Sequence, residues 1–447
     1  MLFAAYAATL GIDAAGRSRY AGDEPHFLAA AASLADGGDL DLADELAADG
    51  SATDGAPRRS DGPARGERPA RTDGRMVGGR LVEPHGIGFP LLLAPAYALG
   101  GATLVVVVLA AVAALAFVLA AALARRVVPD PWATWAALLA GLSPPDLAHA
   151  TAVVPALTAG ALLTGAALCA LAVRERPLMR SAFVGGALLA VLPWLDPWLL
   201  VPAAPVAVLL ARWTARRGRR LVALGTVEVQ LASLVFYVSL NERLYGGLTP
   251  LAVADPPATG AGSVADYLER VPRLVALWID RDAGLVRWAP VLALAFLGAW
   301  LLWRSRRERL ARLVAERRDA EHAAFLALAV CAGQAGVAAF ATPALAGPWF
   351  PGTQLVAALP CAVPLLAWGL RWAPRAGAVL AALTMLASGW LVAGGGGWSP
   401  PGSDAPWGPL VSAFPRGPGW GWVVAVALAL VVGLGVGRER RRRQLRH

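Results

Sequence analysis

The chain has 447 residues, of which 57% are hydrophobic and 16% are charged; its mean hydropathy is +0.55 and its formal net charge is +9. Soluble globular domains carry about 25% charged residues and less apolar bulk, so this composition excludes an ordinary soluble protein. The sequence contains no lysine, which excludes covalent chemistry at a lysine amine. Its three cysteines, Cys169, Cys331 and Cys361, all lie in apolar runs and indicate neither a disulfide framework nor a Cys-x-x-Cys metal site.

Long apolar runs recur along the chain, and several reach the roughly 20 residues that cross about 30 Å of hydrocarbon as a helix. These runs predict an all-α polytopic membrane protein with about twelve transmembrane helices. In chain order the predicted crossings are 1–12, 102–124, 131–142, 152–173, 181–194, 197–211, 221–240, 288–303, 323–341, 355–370, 376–393 and 420–437.

The first crossing is the shortest of these segments. "MLFAAYAATLGI" (1–12) offers only 12 apolar residues, and it has neither the basic flank nor the cleavage site of a signal peptide. The alternation of the later segments nevertheless requires a crossing here. We expect that the start is truncated; a shallow re-entrant segment is the alternative.

Charge orients the predicted helices. The segments 125–130, 174–180, 212–220, 304–322, 371–375 and 438–447 hold most of the 40 basic residues and few of the 31 acidic ones. Because positive residues favour the cytoplasmic side, these segments, including the C-terminal tail 438–447, are predicted to lie inside. Residues 13–101 then form a large extracytoplasmic loop, and 102–437 form the transmembrane bundle. The basic tail is expected to meet anionic lipid, and no nucleic-acid partner is predicted.

The outer loop begins with an acidic pair, Asp23-Glu24, in front of a short apolar helix predicted from Pro25 to Gly37-Gly38. Asp is favoured at a helix N-terminus, which stabilises ionised carboxylates, so both acids are expected to be ionised there, with Asp23 as the cap. The helix is too short to span and should lie along the outer membrane face. The Gly-, Pro- and Arg-rich stretch 48–79 is predicted to lack regular structure, and "EPHGIGFPLLLAPAYALGG" (83–101) returns the chain to the bilayer.

Several familiar catalytic motifs are missing from the sequence. It has no GxxxxGK[ST] loop, no GxGxxG after a strand, no GxSxG and no HExxH, so nucleotide-driven transport, dinucleotide chemistry and serine or zinc hydrolysis lose their usual signatures. No residue spacing indicates a divalent metal, which stays an open alternative, and no other cofactor is predicted.

The order of short motifs resembles the GT-C superfamily of membrane glycosyltransferases, especially the branch of protein O-mannosyltransferases and lipid A aminoarabinose transferases. The similar pieces run along nearly the whole chain: "GDEPHFL" (22–28), "DGGDLDLADE" (36–45), "PHGIGFPLLLAPAYALGG" (84–101), "SPP" (143–145), "LPWL" (192–195), "YGGLTP" (245–250), "DRDAGLVRWAP" (280–290) and "WFPGTQL" (349–355). The resemblance implies a GT-C-like fold in the plasma membrane, whose first outer loop bears interfacial helices and the catalytic site.

The resemblance also implies a reaction: transfer of a sugar from a polyprenyl phosphate to an extracytoplasmic acceptor, which could be a cell-envelope glycan, a lipid or a protein. The phosphate is a weak base and leaves without a general acid. The reaction then needs one carboxylate to take the acceptor's proton and cations to hold the phosphate. By this resemblance Asp23 would be the base and Glu24 would orient hydroxyl groups.

Donor contacts are expected from outward segments near the bilayer surface. Arg281 and Arg287 are candidates for the phosphate; equally, they could pair with Asp280 and Asp282 as a structural cluster. His26, His85 and Tyr245 are further candidates for donor contacts, and a structural role is an alternative for each.

Two departures from the family pattern and a second class of function remain open. Thr353 and Ala156 stand where relatives often carry Arg and Glu, so an inactive relative is one alternative. A transporter or flippase of a lipid-linked or small polar substrate also uses about twelve crossings. Transporters place polar groups at mid-membrane and often show internal repeats, whereas here the polar groups concentrate in the first outer loop.

Overall fold

Helices dominate the computed structural model, which describes residues 1–14, 19–38, 75–77, 80–82, 84–176, 178–216, 219–254, 260–281, 284–311, 315–343, 350, 352–394 and 397–398. Short 3-10 turns at Pro197–Leu199, Pro250–Val253, Pro290–Leu292 and Thr353–Ala358 join some of them. The α-helices in chain order are α1 Leu2–Ala7, α2 Glu24–Asp36, α3 Gly88–Arg125, α4 Trp132–Gly141, α5 Pro144–His149, α6 Ala156–Glu175, α7 Met179–Leu195, α8 Leu200–Arg216, α9 Arg220–Tyr245, α10 Val264–Glu269, α11 Arg273–Ile279, α12 Leu285–Trp288, α13 Ala293–Ala311, α14 Ala315–Phe340, α15 Leu359–Trp372 and α16 Pro374–Ala393.

Many of these helices are long and apolar enough to cross a membrane, which confirms the predicted polytopic class. Within the described residues seven spans meet this test: Gly88–Arg125, Ala156–Glu175, Pro197–Arg216, Arg220–Val253, Ala320–Phe340, Thr353–Trp372 and Pro374–Ala393. Two shorter apolar helices, Met179–Leu195 and Pro290–Arg304, occupy further predicted crossings. The predicted first crossing contains only the six-residue α1, and the segment 420–437 lies outside the described residues.

Small residues let the central helices approach closely. Buried alanines, among them Ala110, Ala113 and Ala120, lie along α3, which packs against α6 and α15. In a membrane, close backbone approach through small residues supplies the dispersion contacts that hold helices together. The helices α13 and α15 cross most closely, where Gly298 faces the carbonyl of Leu365 and Gly369 faces the carbonyl of Leu294.

The helix α3 has two parts that differ in direction. Gly100 and Gly101 interrupt it with non-helical backbone, and Gly101 has φ +62°, a conformation that favours glycine. The ring of Phe89, in the first part, packs against that of Phe27 in α2, and the second part continues to Arg125. Arg125, the basic residue of the last turn, therefore lies at the opposite end of α3 from this contact.

The short helix α2 agrees in large part with its prediction. It begins at Glu24, one residue before the predicted start, and ends at Asp36 with Gly37 as its C-cap, and Gly38 adopts φ +70°, which confirms the predicted Gly-Gly stop. Phe27, Leu28 and Ala31 are buried against the protein, while Leu34 is only half-buried.

The segment predicted to form the outer loop also contains two short strands. Arg75–Val77 (β1) pairs antiparallel with Arg80–Val82 (β2), with Met76 opposite Leu81. The prediction that 48–79 lacks regular structure is therefore wrong at its C-terminal end, because Gly-Gly between two short runs of β-favouring residues is a hairpin sequence. Most of 48–79 lies outside the described residues.

Candidate functional site

The carboxyl of Asp23 is open to the surroundings. Asp23 occupies the N-cap position of α2, but its backbone is helical (φ −85°, ψ −5°) and its side chain makes no capping hydrogen bond, so the predicted capping role is wrong. Instead, Oδ1 lies 3.8 Å from Nε2 of His85, and 51% of the Asp23 side chain is exposed. The Asp23 carboxylate is therefore accessible and lies beside an imidazole.

Unlike the side chain of Asp23, that of Glu24 is almost fully buried, with 2% of its surface exposed. Its Oε1 accepts a hydrogen bond from the backbone N–H of Ala21 (3.1 Å), and its Oε2 accepts one from Val153 (2.8 Å). Burial raises the pKa of Glu24 to about 7, and the two backbone hydrogen bonds oppose that rise. The expectation of a carboxylate kept ionised by the helix N-terminus is therefore wrong for Glu24, because desolvation outweighs the helix dipole.

Four of the predicted site residues lie together around His85, which also contacts two aromatic rings. The ring of His26 lies 5.5 Å from that of His85, and Phe27 lies 5.1 Å from it. The hydroxyl of Tyr245, at the end of α9, donates to the backbone carbonyl of His85 (3.2 Å). Asp23, His26, His85 and Tyr245 thus form one group, which we call the His85 cluster.

The backbone that carries His85 sits directly on the end of α7. A Cβ atom built on Gly88 would lie 2.5 Å from Cβ of Trp194, and one on Gly86 would lie 3.3 Å from the carbonyl oxygen of Trp194. Trp194 is itself held in place, since its Nε1–H donates to the hydroxyl of Ser233 (2.9 Å). The glycines of "PHGIG" are therefore needed to bring His85 onto this surface.

The helix α5, which precedes Val153 in the chain, is a buried polar segment that the sequence indicated only as a connection. Asp146 and His149, in α5, are 0% and 2% exposed. Ser143 donates weakly to Asp146 Oδ2 (3.4 Å), and Nδ1 of His149 lies 2.6 Å from the carbonyl oxygen of Pro145. Burial raises the pKa of Asp146 and lowers that of His149 to about 4, so His149 is neutral at pH 7. Two ionisable residues in the six-residue stretch "PPDLAH" were the available signal.

Arg281 and Arg287 belong to a second group of residues. Arg287 is buried, with 4% exposed; its guanidinium lies 5.1 Å from the ring of Trp288 and donates to the backbone carbonyl of Arg281. Trp288 contacts Phe350 (5.5 Å between ring centroids), which contacts His149 (6.4 Å). Aromatic contacts thus connect Arg287 to α5, whereas Asp282 lies outside the described residues.

The two positions that depart from the family pattern have simple surroundings. Thr353 donates its hydroxyl to the backbone carbonyl of Phe350, and so closes a turn. Ala156 is the first residue of α6 and follows the segment that holds Glu24.

A small cavity of about 50 Å³ opens beside Glu24. Its polar lining comes from Arg19, Tyr20, Glu24, Thr103 and Thr151; Asp23 is not part of its wall. The adjacent carboxyl groups of Asp23 and Glu24 therefore face different spaces. Among the described residues, no three His, Cys, Asp or Glu side chains stand together in the manner of a metal site.

Comparisons with known proteins support the fold. The sequence matches no protein-family model and no curated protein. Its structure is similar to the crystal structure of ArnT from Cupriavidus metallidurans in the apo state, with a TM-score of 0.53 and 14% sequence identity over 88% of this chain and 67% of that chain. At this identity the likeness concerns architecture alone, and it shows that the chain has a GT-C-like membrane-protein fold.

Proposed function

We propose that this chain is an integral membrane glycosyltransferase that moves a sugar from a polyprenyl phosphate to an acceptor outside the cytoplasm. The observation that carries this proposal is the half-exposed carboxyl of Asp23 beside His85, at the start of an outer helix in a GT-C-like fold. The short motifs that resemble the superfamily include this same Asp-Glu pair and the His85 segment.

In the proposed reaction the acceptor hydroxyl attacks the anomeric carbon, the bond from that carbon to the phosphate oxygen breaks, and Asp23 takes the proton of the hydroxyl. A carboxylate is a weak base, but the hydroxyl becomes acidic as its bond to carbon forms, so proton transfer can come late. Asp23 suits this role better than Glu24, because Asp23 is accessible while both oxygens of Glu24 already accept backbone N–H groups.

Glu24 then acts mainly through the structure around Asp23. Its hydrogen bond to Val153 ties α2 to the segment that follows α5, and so fixes the direction of the helix that begins with the acidic pair. Tyr245, a member of the His85 cluster, donates its hydroxyl to the backbone carbonyl of His85 and so connects that segment to α9.

The leaving phosphate needs a cation near the reacting carbon. Arg281 and Arg287 remain candidates; Arg287 is already buried against Trp288 and would reach the phosphate only with a change of its surroundings. Arg19 lines the cavity beside Glu24 and is exposed, which makes it a third candidate.

The test is the Asp23→Asn variant, assayed in membranes with labelled polyprenyl-phosphate sugars. Asn keeps the size of the side chain and removes its basicity, so we expect transfer to be lost while expression and donor binding stay near wild type. The matched control is Asp266→Asn at the N3 position of the capping box of α10, where the amide oxygen of Asn can still accept the backbone N–H groups of Gly262 and Ser263, so activity should not change. Wild-type transfer by Asp23→Asn, or no transfer from any such donor by the wild type, would contradict the proposal.

A further inference from the structure

The helix α9 has one face that the rest of the described protein leaves exposed. Only 17% of its membrane span is buried, which is the lowest share among the seven spans. The exposed residues on this face recur every three or four positions, the spacing that places side chains on one side of a helix. They are Leu221, Leu224, Glu228, Ala232, Val235 and Ser239. We call this set the Glu228 stripe.

The opposite face of α9 holds the helix against α7. Thr226 on that face is buried and donates its hydroxyl to the carbonyl of Ala223 in the same helix (2.8 Å). Ser233 donates to the carbonyl of Ala190 in α7 (2.8 Å). Because α9 is already packed through this face, the Glu228 stripe points away from the protein to which it belongs.

The depth of Glu228 makes this face different from one that simply contacts lipid. Glu228 follows Arg220, at the predicted cytoplasmic boundary, by about 12 Å along the helix axis at 1.5 Å per residue. The hydrocarbon core is about 30 Å thick, so the carboxyl lies well inside it. In the part of the chain that the structure describes, no group donates to this exposed carboxyl. Acidic residues at such depths rarely face lipid and pair instead with another polar group.

The exposed face of α16 shows what contact with lipid alone requires. Its span is also largely uncovered, with 28% buried. The large side chains exposed along its middle, Val379, Leu383 and Leu386, are all apolar. Lipid satisfies such a face, so exposure by itself does not indicate a partner. The carboxyl of Glu228 does.

Two candidates could cover the Glu228 stripe: another crossing of this chain or a second copy of it. The predicted crossing 420–437, which the structure does not describe, has no charged, amide or hydroxyl side chain, so it would leave Glu228 without a polar partner. A second copy supplies one. Both copies have the same orientation, because both have the same arginine distribution. A two-fold axis along the membrane normal then brings the same residue of each copy together at one depth.

We propose that the chain forms a homodimer in the membrane through the Glu228 stripe, with the two Glu228 carboxyls hydrogen-bonded across the two-fold axis. One carboxyl is protonated and donates its O–H to an oxygen of the other, so the pair shares a single proton. Ala232, one turn further along, lets the backbones approach, and Ser239 adds a second hydrogen-bonding group. The proposal concerns assembly and does not rest on the glycosyl transfer proposed above.

The first test is disulfide trapping of the full-length protein in its membrane. In a variant without the three native cysteines, Ala232→Cys should form a covalent dimer on mild oxidation, because the axis brings the two copies of this position together. Co-expression with two different tags identifies the product as two copies of this chain. The matched control is Leu386→Cys on the exposed face of α16, which should stay monomeric.

The second test asks whether the carboxyl stabilises the dimer. Energy transfer between labelled full-length copies, diluted in lipid vesicles, gives the dissociation constant. Glu228→Leu matches the apolar residues of the stripe but removes the hydrogen bond, so it should weaken the dimer by roughly tenfold. Glu228→Gln keeps a donor and an acceptor and should stay within about threefold of the wild type. The control is Val229→Leu, which is exposed but lies a quarter turn from the stripe.

Each result decides for or against the homodimer. A covalent dimer through Ala232→Cys, together with weakening by Glu228→Leu alone, would support it whether or not sugar transfer is detected. If Ala232→Cys gives no product between copies, or if Glu228→Leu dimerises as tightly as the wild type, the proposal fails and the stripe belongs to another partner.

Discussion

Asp23 and Glu24 are neighbours in sequence, yet one carboxyl is half exposed and the other is enclosed by protein. One oxygen of Glu24 accepts the N–H of Val153 in the interior, whereas Oδ1 of Asp23 lies 3.8 Å from Nε2 of His85. At the scale of the residue, the two carboxyls thus differ in accessibility: that of Asp23 is half exposed, and that of Glu24 is bound by backbone N–H groups.

The raised pKa of Glu24 makes a prediction about stability. In the unfolded chain Glu24 loses its proton near pH 4.5, whereas in the folded chain it does so near pH 7. Between these values the folded state holds more protons, so its free energy of unfolding falls as the pH rises, by up to about 1.4 kcal/mol per pH unit, and stays level above pH 7. The difference in unfolding free energy between wild type and Glu24→Gln should therefore decrease from pH 5 to pH 7. Denaturant unfolding across this range measures it.

The comparison with Glu24→Gln also isolates the residue responsible. Burial raises the pKa of Asp146 as well, but Asp146 is present in both proteins and its contribution cancels in the difference. A difference that does not change with pH would show that Glu24 is ionised throughout this range in the folded protein.

The motifs of the sequence indicate the acidic pair, His26, His85 and Tyr245 as site residues. In the structure all of these except Glu24 lie together, and Glu24 makes no direct contact with the group. Sequence reasoning gave the wrong direction for the pKa of Glu24, because the helix N-terminus is visible in a sequence but desolvation depends on which distant segment covers the side chain. The burial of Asp146 and His149 was missed for the same reason: "SPPDLAH" resembles an ordinary polar connection until its neighbours are known.

At the scale of elements, the crossing of α13 and α15 depends on two glycines that face each other's helix. A Cβ at Gly298 would meet the backbone carbonyl of Leu365, which cannot move without shifting α15. Gly298→Ala should therefore lower the free energy of unfolding by about 1–3 kcal/mol, the usual range for overpacking. The control is Gly336→Ala in α14, where a Cβ has open space and should be neutral or slightly stabilising. Thermal unfolding in detergent would measure both, and equal stability of the two variants would contradict the close crossing.

The end of α14 is held by a pair of arginines. Arg270 donates to the carbonyl of Phe340 (2.7 Å), and Arg273 donates to the carbonyl of Thr342 (2.9 Å), so charged donors satisfy carbonyls at and just beyond the C-terminus of the helix. Arg270 is 5% exposed, whereas Arg273 is half-buried.

Replacement of these arginines should have unequal effects. Arg270→Ala should cost roughly 2–3 kcal/mol of stability, because it removes charged hydrogen bonds at a buried position, and Arg273→Ala should cost less. Arg270→Lys keeps the charge but not the planar fork, so it should restore only part of the loss. The measurement is the unfolding midpoint of each variant; full recovery with lysine would indicate that charge alone matters.

At the scale of the whole molecule, the helix positions followed from the apolar runs, but the length of α3 did not. Its apolar residues extend from Gly88 to Arg125, and only the backbone angles at Gly100 and Gly101 divide it into a part that packs on α2 and a part long enough to span. A run of apolar residues gives the location of a helix, whereas a change of direction depends on packing that the run does not encode.

The arginine distribution predicts which end of the bundle faces the cytoplasm. The Asp23 end of α3 should lie outside, and Arg125, with the other basic segments, should lie inside. In a variant without its three native cysteines, Gly37→Cys should react with a membrane-impermeant maleimide in intact cells, and Arg375→Cys should react only after the cells are opened. Both positions are exposed, so access to the reagent depends on the side of the membrane. The reverse labelling pattern would contradict the predicted orientation.

The hydrogen bond between Glu24 and Val153 has a consequence for biosynthesis. Its two partners are 129 residues apart, so at about 5–20 residues per second roughly 6–26 s of translation separate their synthesis. During that interval the carboxyl has no Val153 to bind, and the start of α2 lacks the contact that later fixes it. A nascent chain that stalls before this point would carry the complete acidic pair on an unsupported helix. The protein therefore acquires its candidate site only when translation has passed the segment after α5, well after the site's own residues have been made.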